Sequence, residues 1–151
     1  MSFFLALDLD EVVRAEVVRA IERHRAEVTA KWLRADKLHL TLRFLGHPAP
    51  ETLALLEPSV RAIARTTAPF TLSLQGGGFF VTARASNAAH LAHTGGALET
   101  LEPALRDFTS SPFTASHLTL YESTHLHYRA VQRFDFEGQR KPRARVKLRT
   151  P

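Results

Sequence analysis

Lys37-Leu38-His39-Leu40-Thr41-Leu42-Arg43-Phe44-Leu45-Gly46 alternates apolar and polar positions before a glycine and, two places on, Pro48. That is the pattern of a β-strand with one buried face. Period-two geometry puts His39 and Thr41 on one face and the leucines on the other, where they can enter a core. Arg43 continues the His39–Thr41 face by one step. The tetrad His39-Leu40-Thr41-Leu42 recurs without change as His117-Leu118-Thr119-Leu120.

The rest of the chain supplies elements on either side. Phe3 to Leu9 predicts a short apolar strand. Asp10 is placed to cap a helix whose stripe is Val13, Val17, Ala20, Ile21 and His24, running to about residue 28. Pro50-Glu51 opens a second helix with the stripe Leu53, Leu56, Val60, Ile63 and Ala64, and Phe70 to Leu74 alternates as a strand. Gly76-Gly77-Gly78 reads as a bend, since it lacks the lysine and hydroxyl of a phosphate-binding loop. A weak strand over 88–93 and a third helix over 97–108 follow. Two antiparallel strands, Phe113 to Tyr121 and Tyr128 to Phe136, close the fold. This interspersed order predicts a single α+β domain over residues 1–137, with helices packed on antiparallel sheets.

Composition excludes several classes. The chain has 151 residues, 44% hydrophobic and 23% charged, ordinary for a globular protein. It contains no cysteine, which excludes disulfides, thiolate chemistry and cysteine zinc sites. No apolar run approaches the roughly 18 residues of a membrane span. The N-terminal stretch does not read as a signal peptide, so the expected location is cytoplasmic. The net charge of +5 is concentrated in a basic tail over 138–151, where Arg140, Lys141, Arg143, Arg145, Lys147 and Arg149 have no acid among them. Such a tail suits salt-dependent attraction to phosphate backbones, although a solvated end that binds nothing specific has the same composition.

Two imidazoles and two hydroxyls brought to one cleft suit phosphodiester hydrolysis. A neutral imidazole deprotonates water, an imidazolium protonates the leaving oxygen, and threonine hydroxyls bind the non-bridging oxygens. Neither a metal nor another cofactor is required. His90 and His93 with His125 and His127 form the competing metal proposal, but no nearby acid pattern supports it. Trp32 and Phe79-Phe80 could stack on a base, or fill the core.

These residues carry a family resemblance. Phe3 to Asp8, then Lys37 to Gly46, Pro69-Phe70, Leu118 to Ser123 and Tyr128 to Phe134 resemble the bacterial RNA 2′,3′-cyclic phosphodiesterases, also called 2′-5′ RNA ligases, of the 2H phosphoesterase superfamily. The resemblance implies two similar lobes of antiparallel strands and outer helices around a central cleft, one His-x-Thr-x motif per lobe. It implies metal-free opening of RNA 2′,3′-cyclic phosphate ends to a 2′-phosphate, with reverse 2′-5′ ligation by microscopic reversibility. The implied partners are RNA ends or nucleoside 2′,3′-cyclic phosphates, met by a monomer. His39, Thr41, His117 and Thr119 would be catalytic, and Arg43 would bind substrate by adding positive charge to the cleft. One departure matters. In the family the second motif follows Phe-x-Pro, whereas Phe113-Thr114-Ala115-Ser116 precedes His117 here, and Tyr121-Glu122-Ser123 after it resembles the final strand pair. The second lobe is therefore shortened. Either His117 and Thr119 work as the second motif from a shifted strand, or they belong to the final strand and only look like it.

Overall fold

A computed structural model describes residues 1–26, 32–77, 103, 105–124 and 127–139. Its elements are β1 (Ser2–Asp8), α1 (Glu11–Glu22), a 3₁₀ turn (Ala35–Lys37), β2 (His39–Gly46), α2 (Pro50–Thr66), β3 (Phe70–Leu72), β4 (Phe113–Ala115), β5 (His117–Ser123) and β6 (Tyr128–Asp135). All pairing is antiparallel: one sheet in the order β2-β1-β5-β6, and a second of β3 with β4.

The apolar side of β1, Phe3, Leu5 and Leu7, packs with Leu118 and Leu120 of β5, Phe134 of β6 and Val60 and Ala64 of α2. A second cluster joins Leu9, Val13 and Phe113 under α1. Asp10 caps α1 as expected, its carboxylate accepting from Val13 N at 2.8 Å. The helix ends at Glu22, earlier than its stripe suggested, and is followed by turns to residue 26. On α2 the buried line is Val60 and Ala64, with Leu53 and Leu56 half-buried; Ile63 is 60% exposed. At about 100° per residue Ile63 lies roughly 60° from Val60, outside the narrow strip that the sheet covers. The chain after β6 returns to α2: Glu137 N donates to Ala64 O and Gly138 N to Thr67 O. A Cβ on Gly138 would lie 2.5 Å from Thr66 O, so only glycine allows this approach.

Two further expectations are corrected. Phe113 to Tyr121 is not one strand. It breaks at Ser116, and its halves enter different sheets, β4 beside β3 and β5 beside β1 and β6. Second, β2 does not alternate regularly. Its register with β1 slips twice, so Thr41 faces Ala6, Arg43 faces Leu5, Phe44 faces Phe4 and Gly46 faces Phe3. Leu42 is the extra residue of a bulge, and instead of entering the core it is 54% exposed. The segments expected as a strand over 88–93 and most of a helix over 97–108, and the basic residues from Arg140 onward, lie outside the described residues, as do Phe79, Phe80, His90, His93 and His125.

Candidate active site

Both tetrads lie in the four-stranded sheet, on the two strands that flank β1. Resemblance had implied one motif per lobe, facing across a cleft. Instead, the β1–β2 register sets Asp8 opposite His39, and the β1–β5 register sets Ala6 opposite Thr119. Stepping two residues along that ladder brings Asp8 level with His117. His39, Asp8 and His117 therefore form one row, Thr41, Ala6 and Thr119 the next. The two histidine backbones are roughly 10 Å apart, at ~4.8 Å per strand.

The two imidazoles have different surroundings. His39 Nδ1 lies 2.7 Å from the carbonyl oxygen of Lys37, and Nε2 lies 2.9 Å from Thr41 Oγ1. A carbonyl only accepts, so Nδ1 carries the proton and the Nε2 lone pair of neutral His39 accepts from the Thr41 hydroxyl. Thr41 is exposed, so the pair is open to a ligand. His117 Nε2 donates to Asp8 Oδ2 at 2.8 Å, and its Nδ1 lies 3.2 Å from Ser116 Oγ. Thr119 Oγ1 also donates to Asp8 Oδ2, at 2.7 Å, and the Tyr121 hydroxyl donates to Asp8 Oδ1 at 2.6 Å. Thr119 is 3% exposed, not on an open surface as the alternation of its strand suggested.

Asp8 thus takes three side-chain donors from one strand. Burial by itself would raise its pKa; the bonds from Tyr121, Thr119 and His117, with the charge of the imidazole, outweigh it and hold the carboxyl below its ordinary value. The Tyr121 phenol is pushed up to about 12, first by burial and then by its bond to Asp8 and that carboxylate's charge.

An aromatic stack covers His39 on the side of β5. The Phe4 ring stacks on His39 at 4.6 Å and on Tyr121 at 5.3 Å, and Phe4 itself is 4% exposed. Tyr128 meets both Phe4 and His39 edge-on, at 5.2 and 5.4 Å. Phe4 is four residues from the Asp8 row, about 13 Å along a flat strand. The rings must therefore lean together over Ala6, which is fully buried and too small to hold them apart.

Arg43 is exposed and stands opposite Leu5, because the bulge at Leu42 intervenes; it does not continue the Thr41 face by alternation. Trp32 is half-buried and His127 exposed. Among the described residues no group of three or more His, Cys, Asp or Glu side chains is placed to hold a metal ion. Sequence reasoning missed Asp8, Phe4 and Tyr121. The usable signal was that Phe4, Ala6 and Asp8 alternate out of phase with the apolar Phe3, Leu5 and Leu7.

The fold is thus an antiparallel α+β arrangement that sets a histidine–threonine pair, His39 and Thr41, on one strand with the hydroxyl exposed. The family model described as LigT-like phosphoesterase matches residues 7–90, and the chain belongs to that family. The matched stretch holds the first tetrad; the second lies beyond it. The RNA 2′,3′-cyclic phosphodiesterase of Methanothermobacter thermautotrophicus is 37% identical over 82 residues, 54% of this chain and 45% of that protein. Its counterpart in Thermus thermophilus is 39% identical over 80 residues, 53% of this chain and 40% of the relative. The chain thus spans about half the length, or less, of the curated relatives it matches. Among solved structures, TT0787 of Thermus thermophilus superposes with a TM-score of 0.69 at 23% identity, covering 92% of this chain and all of that one. Escherichia coli LigT complexed with phosphate gives 0.64 at 22%, covering 91% and 98%. These superpositions establish the fold. Among the described residues no helix is long and apolar enough to cross a membrane.

Proposed function

We propose that this chain opens 2′,3′-cyclic phosphate ends of RNA, without a metal, to a 2′-phosphate. The observation that carries the reading is the state of His39. Its Nδ1–H is fixed on the Lys37 carbonyl, so Nε2 is the basic nitrogen, and it lies beside the exposed Thr41 hydroxyl. In this reading water attacks phosphorus and His39 Nε2 takes its proton. The P–O3′ bond breaks, and the 3′-oxygen takes a proton from solvent. For this the Thr41 hydroxyl turns from His39 Nε2, which frees that lone pair for the water's proton, and donates instead to a non-bridging oxygen as charge builds there. With the 5′-hydroxyl of a second strand in place of water, the same attack and P–O3′ cleavage would leave a 2′-5′ linkage, its proton passing to His39 Nε2 and the 3′-oxygen taking one from solvent. The curated relatives are named RNA 2′,3′-cyclic phosphodiesterases, which supports this substrate class. The test is a metal-free assay of the purified protein on nucleoside 2′,3′-cyclic phosphates, wild type against His39→Ala.

A second reading is supported by a separate observation. The Nε2–H of His117 and the hydroxyl of Thr119 are both spent on Asp8, so neither is directed at a phosphate. A site with one imidazole outside the Asp8 cluster can serve an RNA-end-binding module instead of an enzyme. Wild-type protein that binds 2′-phosphate-ended RNA through Thr41, yet turns over no cyclic phosphate, would decide for the module.

A further inference from the structure

We propose that the second tetrad is a positioning device: His117 and Thr119, with Tyr121, clamp Asp8, and the clamp holds the aromatic stack that fixes His39. The inference takes His39 to be the working imidazole, as in the function proposed above.

The contacts form a closed loop. Asp8 faces His39 across the β1–β2 ladder. On its other side the carboxylate receives Tyr121, Thr119 and His117 at 2.6 to 2.8 Å. Tyr121 is the member that reaches back. Its hydroxyl is on Asp8 while its ring lies nearly parallel to Phe4, 19° between planes, and Phe4 lies at 21° to His39. A carboxylate is suited to the centre of this loop because it accepts at every lone pair and donates at none. Removing a donor frees a ring; removing the acceptor frees three side chains together. The same loop explains why the tetrad repeats without repeating its chemistry. In β2 the His-x-Thr spacing makes an internal imidazole–hydroxyl pair. In β5 the same spacing delivers both side chains to one carboxylate oxygen.

The clamp requires a hydrogen-bond donor at position 117, not a titrating imidazole. His117→Gln keeps an N–H at the place of Nε2, so it should retain turnover within about threefold. Loss of a general acid or base would cost ~10² or more. Asp8→Asn offers one oxygen to three donors and turns an N–H₂ against at least one of them. It should lower kcat by roughly ten- to a hundredfold with little change in KM, the scale of a misplaced catalytic group. The readout independent of activity is the ¹⁵N and ¹H resonances of the His39 ring, which report its tautomer and titration midpoint. These should move in Asp8→Asn and in Tyr121→Phe, and stay in His117→Gln. Should Asp8→Asn not fold, Tyr121→Phe, which keeps the ring and two donors on Asp8, carries the comparison alone. Unmoved His39 resonances in the Asp8 and Tyr121 variants would overturn the inference. So would a hundredfold loss in a folded His117→Gln, which would make His117 catalytic. A wild type without turnover removes the function proposed above, and the resonances still decide the clamp.

Discussion

Tyr121→Phe is the most informative single change for the clamp's energetics, because it deletes one oxygen and leaves the ring. The bond lost is 2.6 Å long and runs from a phenol to a carboxylate held ionised below its ordinary pKa. Hydrogen bonds to charged groups contribute about 1.5–3 kcal/mol, and Tyr121 is only half-buried. Solvent screening therefore favours the low end, about 1.5 kcal/mol at neutral pH, or a fall in Tm of about 3–6 °C. The pH dependence distinguishes this bond from generic packing. Asp8's lowered pKa contributes stability that is present above the unfolded carboxylate's pKa and lost as pH falls through the folded one. The Tyr121 phenol is raised from 10.0 to about 12, so its contribution is whole below pH 10.0 and disappears as pH rises through about 12. Taken whole, that rise corresponds to ~2.7 kcal/mol; the solvent reaching the phenol reduces this to roughly half. Wild type and Tyr121→Phe should thus differ most from mildly acid to mildly alkaline pH and converge at both extremes. Urea unfolding followed by circular dichroism across that range measures it. A difference below about 0.5 kcal/mol at neutral pH, or one that is flat in pH, would refute the reasoning.

Other outcomes follow from the site and the tail. His39→Ala should cut cyclic phosphodiesterase turnover by ~10² or more while the protein stays folded; near-normal turnover in that variant would remove His39 from the chemistry. With a single general base and no side-chain general acid, turnover should rise with pH and then level off, in excess chelator as well as without it. A symmetrical bell would require a second titrating group, and loss of activity in EDTA restored by zinc or manganese would require a metal. Truncation after Gly138 keeps the bond from Gly138 N to Thr67 O and removes six basic residues. Binding to longer RNA should weaken and its salt dependence flatten, with a mononucleotide cyclic phosphate turned over as before. An unchanged salt slope would leave the tail without a role in RNA binding.

The elements that sequence reasoning located best are those whose signals are local. Asp10 declares its helix within three residues, Gly46 closes β2 in a left-handed turn, and the β5–β6 hairpin is bounded by its own polar turn. His39 and Thr41 were legible for the same reason, since their partners are each other and a carbonyl two residues away. Asp8 was not, because its partners lie 109, 111 and 113 residues further along the chain. Only the pairing of β1 with β5 brings them together, and periodicity within a strand does not say which strand lies beside it. The break at Ser116 was hidden for a related reason. Phe113 to Tyr121 is continuous in pattern, and only tertiary pairing divides it between two sheets. Arg43 was misplaced by a single extra residue, which inverts every later position on a strand.

That extra residue also bears on how the protein behaves in concentrated solution. Among the described residues β2 ends its sheet, and along it Leu42 and Phe44 are 54% and 61% exposed. A flat apolar edge of this kind invites another chain to add a strand. The slips at Leu42 and Leu45 leave no uninterrupted run longer than the three residues His39 to Thr41. An incoming strand would lose its hydrogen-bond spacing after three residues, too few to hold it. Deleting Leu42 should remove the first slip, pair Thr41 and Arg43 with Ala6 and Leu5 as consecutive residues of a regular strand, and give a longer even edge on which copies of the chain can polymerise.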